Sequence, residues 1–294
     1  MPDTPTAPGN DAKKWRRPRG SERRSFWLCF AAAIVLPSMN ILTRRQWRGM
    51  ENIPLQGPLI YVVNHYSHFD PMVIAHFVYK SGRSPRFLLK ESLTRVPVLG
   101  KIIRNTGQIP VHRGTVDATK ALQAAIDQLR DGKAIIIYPE GTTSKEPNHW
   151  PMRGKTGLAR LVAETGATVV PVAQWGSLAF INPLAKKRRF KFGLRRPVTV
   201  VAGEPLDLSP WKGKERTSLT EITDFAMEAV RDQLAQIRGE EAPALYEYHR
   251  KRSAAGSGES SAPASPQTVE SAAEDGERAN NEGNDSGSEG KSAE

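Results

Sequence analysis

The chain has 294 residues, 42 Lys+Arg against 31 Asp+Glu, and a formal net charge of +11. A single cysteine, Cys29, excludes an internal disulfide framework and a cysteine-built zinc site, and it fits a reducing setting. The length suits one compact domain with distinct ends, and it excludes a disulfide-stapled miniprotein.

The N-terminus is strongly basic. Lys13, Lys14, Arg16, Arg17, Arg19, Arg23 and Arg24 precede an apolar run, and Arg44, Arg45 and Arg48 follow it. The run is 11 residues long (26–36), and Pro37, Ser38, Met39 and Asn40 interrupt it before Ile41. A spanning helix needs about 20 apolar residues, so a transmembrane segment is not expected. A secretory signal is not expected either, because no small-residue cleavage site precedes Arg44. Residues 1–24 therefore read as a basic disordered N-terminus. Residues 25–48 read as an apolar monotopic segment that dips into a leaflet from the cytoplasmic face of the cell membrane, with cations near anionic headgroups.

The next region alternates strand and helix patterns. Leu59 to Val63 is a short apolar run that suits a buried strand, and Asp70-Pro71 reads as an N-cap followed by Pro at the first helical position. From Ala118 to Arg130, apolar residues at 118, 121, 122, 125, 126 and 129 mark one helical face. Ala134 to Tyr138 predicts a second buried strand and Leu158 to Thr165 a helix closed by Gly166. Strands follow over Thr168 to Ala173 and Val198 to Ala202. Thr217 to Arg238 predicts a last amphipathic helix, with Ser218 and Glu221 spaced as a capping box. The pattern predicts a single α/β domain over 49–252, with a mostly parallel or mixed central sheet flanked by helices. From 253 to 294 there are nine acidic and two basic residues and no aromatic, so a disordered acidic tail is expected. Without it, residues 1–252 keep 40 basic and 22 acidic side chains, about +18.

Polar motifs follow two of the predicted strands, where α/β sheets bind ligands. The first is Asn64-His65-Tyr66-Ser67-His68-Phe69-Asp70. Here a bend could bring the Asp70 carboxylate to one nitrogen of His65 and leave the other to accept a proton. The plainer alternative is that Asp70 caps its helix and His65 is a loop histidine. The segment Gly107 to Arg113 ends an alternating apolar stretch in an arginine. Tyr138-Pro139-Glu140-Gly141-Thr142-Thr143-Ser144 closes a strand with a glycine and hydroxyls, groups that approach phosphate oxygens closely. Val169 to Val172 is a strand interrupted by Pro171.

In this order the four elements resemble the 1-acylglycerol-3-phosphate acyltransferase family, over roughly residues 50–205. Lys90-Glu91 followed by Pro97 and Gly100 also resembles that family's link between its first and second motifs. The resemblance implies transfer of a fatty acyl group from acyl-CoA or an acyl-carrier protein to lysophosphatidate, giving phosphatidic acid. It implies His65 as general base and Asp70 as its orienting partner. It implies Arg113 as a phosphate ligand, Glu140, Gly141 and Thr142 around the acceptor, and Lys90 and Gly107 as further substrate-binding residues. No cofactor, metal or covalent acyl-enzyme is implied, and the expected partner is a phospholipid surface. Thr143 departs from the family, which often carries a basic residue there; Lys145 or Arg153 are candidate substitutes.

Two readings from other classes compete. A metal-dependent hydrolase would use His65, His68 and Asp70 as ligands. A nucleic-acid-binding protein would explain the basic clusters, including Lys186 to Lys191, but leaves the ordered motifs without a role, so no nucleic-acid partner is expected.

Overall fold

The computed structural model describes residues 22, 24–111, 117–185, 190, 193–211 and 218–248. Most of the expected basic N-terminus, Arg113, the second basic cluster and the acidic tail lie outside the described residues. The chain begins with α1 (Phe26–Leu42) and β1 (Thr43–Arg48), then β2 (Leu59–Val63) and α2 (Asp70–Lys80). Next come β3 (Leu88–Lys90), α3 (Leu99–Asn105), β4 (Ile109–Val111), α4 (Asp117–Arg130) and β5 (Ala134–Ile137). The last elements are α5 (Gly157–Thr165), β6 (Thr168–Trp175), β7 (Arg196–Ala202) and α6 (Ser218–Arg238).

Five strands form one sheet in the order β1-β7-β6-β2-β5. Among the described residues of this sheet, β6 and β7 pair antiparallel, and β1–β7, β2–β6 and β2–β5 pair parallel. β2 and β5 carry apolar or aromatic residues, all buried, at every position, because helices cover both faces. Alternate residues of β2 divide between the two sides. Ile60 and Val62 pack with α4, α5 and α6, whereas Leu59, Tyr61 and Val63 pack with α2 and Met39 of α1. Strands β3 and β4 form a separate parallel pair, tied alongside β5 by the bridge from Phe87 to Ile136.

The strand and helix positions follow the sequence pattern closely, with three instructive differences. First, the polar residues after Leu36 interrupt the apolar run but not the helix, and α1 continues through Pro37 to Leu42. Second, Arg44, Arg45 and Arg48 are not a loose basic flank: they belong to β1, which pairs in register with β7 from Thr43↔Arg196 to Arg48↔Val201. Third, Pro171 does not interrupt β6. It pairs opposite Val62, just past the last β6–β7 pair, Val172↔Ala202, where β7 leaves the ladder and the Gly203 N–H donates to the Pro171 carbonyl. Glu221 of the expected capping box accepts a hydrogen bond from the Trp211 indole at 3.1 Å, and its proposed partner, the Ser218 side chain, lies outside the described residues.

Candidate active site

Strand β2 ends at Val63, and the turn beyond it is fixed before it reaches His65. The Asn64 amide donates to the Gln174 carbonyl at 3.1 Å and accepts from the Gln174 N–H at 2.9 Å. The Gln174 side chain returns a bond to the Asn64 carbonyl at 3.2 Å. This buried lock between β2 and β6 accounts for an asparagine immediately before His65.

The carboxylate of Asp70 is fully buried and lies 2.9 Å from Nδ1 of His65. Its Oδ2 also accepts the backbone N–H groups of Tyr66 and Ser67, each at 2.8 Å, and its Oδ1 accepts the Ser177 hydroxyl. Burying a charge is costly unless it is paired and hydrogen-bonded, and these four donors meet that requirement. They also differ from the contacts of a helix cap. The helix cap position is Phe69, with no side-chain cap bond, and Asp70 is already helical. Its Oδ2 faces back onto the turn and its Oδ1 faces Ser177, rather than forward onto α2. Its contacts are with His65, the turn and Ser177, and none is a cap bond to α2.

With Nδ1 held on Asp70, Nε2 is the nitrogen left to accept a proton. The His65 ring stacks on Tyr138 with centroids 4.3 Å apart, and Tyr138 stacks in turn on Phe87 at 6.3 Å. Burial drives the Tyr138 phenol well above its ordinary pKa, with the Asp70 charge adding to the effect, so a neutral ring supports the imidazole. The side chain of His65 keeps 16% of its surface exposed, enough to meet a substrate.

Glu140 is buried and spans two segments. Its Oε1 accepts the His65 N–H at 2.8 Å and its Oε2 accepts the Met152 N–H at 3.1 Å. Burial pushes its pKa up to about 8, against the pull of those two amides, and the Asp70 charge raises it further. Both oxygens are therefore occupied inside the protein, and Glu140 shapes the site by holding His65's backbone in place. Gly141 has φ +69°, and a Cβ there would meet the Lys155 side chain at 3.2 Å, so glycine lets that side chain lie against the turn. Thr142 is partly exposed beside it. The neighbouring Ser144 is committed internally, its N–H to the His65 carbonyl at 2.6 Å and its hydroxyl to the Trp150 carbonyl at 2.7 Å.

The remaining expected residues are distributed unevenly. Lys90 is exposed at the end of β3, which runs parallel to β5 and so finishes at the same end of the sheet as His65. Gly107 is not brought there. It precedes β4 at its amino end, with φ +72°, beside Arg86 and Gln128, and serves the turn out of α3. Arg113 lies outside the described residues. Of the candidate substitutes for a basic residue at 143, Arg153 is paired with Asp224 at 3.0 Å. Sequence reasoning missed Ser177, which sits past β6 with no motif to mark it, and Lys155, whose place beside Gly141 appears only in three dimensions. Among the described residues no group of three His, Cys, Asp or Glu side chains could hold a metal, and His68 is exposed while Asp70 is buried. The three ligands of the hydrolase reading do not converge.

A strand-end imidazole with one nitrogen on a buried carboxylate and the other presented outward suits base-assisted attack by a hydroxyl on an acyl carbonyl, without a protein nucleophile. The chain is an acyltransferase. Residues 44–175 match the family described as Acyltransferase. A 1-acyl-sn-glycerol-3-phosphate acyltransferase of Borreliella burgdorferi is 27% identical over 209 residues, which is 71% of this chain and 75% of that protein. The chloroplastic 1-acyl-sn-glycerol-3-phosphate acyltransferase BAT2 of Brassica napus is 30% identical over 132 residues, 44% of this chain and 37% of that one. The crystal structure of the 1-acyl-sn-glycerophosphate acyltransferase PlsC from Thermotoga maritima shares the fold, with TM-score 0.57 and 23% identity over 74% of this chain and 81% of that chain. Beyond the Acyltransferase match, the chain is similar to these 1-acyl-sn-glycerol-3-phosphate acyltransferases in sequence and to PlsC in fold.

Proposed function

We propose that this acyltransferase moves a fatty acyl group from acyl-CoA or an acyl-carrier protein to the free hydroxyl of 1-acyl-sn-glycerol-3-phosphate, forming phosphatidic acid for phospholipid synthesis. The observation that carries the reading is the 2.9 Å contact from His65 Nδ1 to Asp70, which supports a role for Nε2 as the proton acceptor. Nε2 takes the hydroxyl proton as the oxygen attacks the thioester carbonyl. The new C–O bond forms, the C–S bond breaks, and the imidazolium returns its proton to the departing sulfur. A glycerol hydroxyl is a weak nucleophile near neutral pH, and positioned base catalysis is typically worth about 10²–10⁴-fold.

Arg113 is the proposed phosphate ligand, because its planar fork suits a phosphate monoester and it follows Val111, the last residue of β4, by two positions. Lys90 and the Gly141-Thr142 turn with Lys155 complete the polar side of the acceptor site. No helix of the described residues is long and apolar enough to cross a membrane. The proposed partner is a phospholipid surface, met from the cytoplasmic face of the cell membrane. The outward side of α1 supports this, with Phe26, Phe30, Ile34 and Ile41 exposed at helical spacing while Leu28, Ala32 and Met39 pack inward.

The test is a product assay in which the purified full chain receives acyl-CoA and a panel of lysophospholipid acceptors. The reading expects phosphatidic acid from lysophosphatidate in preference to products from acceptors lacking a phosphate monoester. A preference for another headgroup, with lysophosphatidate unused, would contradict it.

A further inference from the structure

Between β3 and α3 the chain makes a short tip, residues 91–99, whose role in the reaction is not accounted for by the motifs. Four large apolar side chains stand exposed there among the described residues: Leu93, Val96, Val98 and Leu99, with Val98 at 67%. Isolated exposed apolar residues are ordinary on a protein surface, whereas four within seven positions form a patch. The tip is not loose. The Arg104 guanidinium donates to the Thr94 carbonyl at 2.8 Å, the Thr94 hydroxyl bonds the Glu91 carbonyl at 2.8 Å, and a Cβ at Gly100 would meet the Thr94 carbonyl oxygen at 2.0 Å. Val98 itself is held at φ +63°, a conformation that β-branched residues rarely adopt. The chain thus presents these side chains to solvent from a fixed, close-packed turn.

The surrounding charge is cationic. Lys90, Arg95, Lys101 and Arg104 are exposed around the patch, and Glu91, paired with Arg95 at 3.1 Å, is the one acidic residue among positions 88–105. The patch also continues into α1, because Lys101 of α3 lies over the Trp27 ring at 5.0 Å, and Trp27 contacts both Phe26 and Phe30 edge-on. Its near end, Lys90, finishes β3 at the catalytic end of the sheet.

We propose that the 91–99 tip is a second membrane-inserting element, which enters an anionic phospholipid leaflet beside α1 and holds the catalytic end of the sheet against the surface. The proposal rests on the lipid-acceptor reading above and adds the surface that delivers such an acceptor. Apolar side chains enter the interfacial zone, and the ring of cations meets anionic headgroups. An acidic carrier protein would meet the same cations, but four protruding aliphatic side chains continuous with the apolar stripe of α1 favour a bilayer.

The test combines Val96→Ser, Val98→Ser and Leu99→Ser in the full chain, with a thermal melt to establish that the variant is folded. Binding is read by co-sedimentation with vesicles of phosphatidylcholine containing phosphatidylglycerol, and with phosphatidylcholine alone. Removing three inserted aliphatic groups should weaken binding to the anionic vesicles by about tenfold or more. Turnover of vesicle-borne acceptor should fall with it, while turnover of a short-chain acceptor below its micellar concentration stays at the wild-type level. Vesicle binding equal to wild type overturns the proposal. So does equal loss of activity on the soluble acceptor, which would assign the tip to catalysis. Unchanged vesicle binding with selective loss of acyl-carrier use would assign it to the carrier. If the wild-type chain acylates no lysophospholipid, the functional reading falls instead, and the binding comparison still decides the tip. If the variant does not fold, Val98→Ser alone, at the most exposed position, carries the same comparison with a smaller expected change.

Discussion

At the scale of single residues, the site is a set of acceptors and donors arranged to hold one imidazole. Ser177 is the part that no motif announced, yet it supplies the donor to Oδ1 of Asp70 and leaves Oδ2 for His65 and the two turn amides. Hydrogen bonds to charged groups are worth about 1.5–3 kcal/mol, so Ser177→Ala is expected to lower kcat by about one to two orders of magnitude through mispositioning of Asp70. Steady-state kinetics on a folded variant with unchanged KM would support that assignment. Glu140 makes a pH prediction. Its folded pKa is raised to about 8 from an ordinary 4.5, so between those values the folded chain holds a proton that the unfolded chain releases. Its contribution to stability is full below the ordinary value and is lost as pH rises through about 8. Thermal melts across that window should show stability declining with pH, and Glu140→Gln should flatten the decline.

Individual elements show what local pattern reveals and what it hides. β2 and β5 were legible because unbroken runs of β-branched, aliphatic and aromatic residues suit strands buried on both faces. β1 was not, because its sequence Thr-Arg-Arg-Gln-Trp-Arg places three arginines on an edge, where charge guards against mispairing and resembles a solvated flank. Likewise, the spacing of His65 and Asp70 suggested their contact, but the direction of the Asp70 carboxylate depends on Ser177, 107 residues away. The N-terminal segment is also more deeply tied to the domain than its composition implies. Arg83 is fully buried, donates to the carbonyls of Pro54, Gly57 and Gly132, and pairs with Glu22 at 2.9 Å. Removing one partner of a buried pair costs about 3–5 kcal/mol, because the other charge stays buried. Glu22→Gln is therefore expected to lower the denaturation midpoint clearly, measured by urea unfolding, even though it lies outside the catalytic end.

For the whole molecule, the charge division along the chain carries its own expectation. The core and N-terminus hold the basic excess, and residues 253–294 hold nine acidic side chains with no apolar periodicity. Deleting 253–294 should leave the melting temperature and the rate on soluble substrates near wild type, while association with anionic vesicles changes in rate and salt dependence. A large fall in melting temperature on deletion would mean that the tail docks on the domain.

The central claim is that His65 Nε2 takes the acceptor proton. Its most direct test is the rate of phosphatidic acid formation from lysophosphatidate and acyl-CoA by wild-type and His65→Ala proteins of equal thermal stability. The account predicts a fall of about 10²–10⁴-fold, and a His65→Ala protein turning over near the wild-type rate would contradict it.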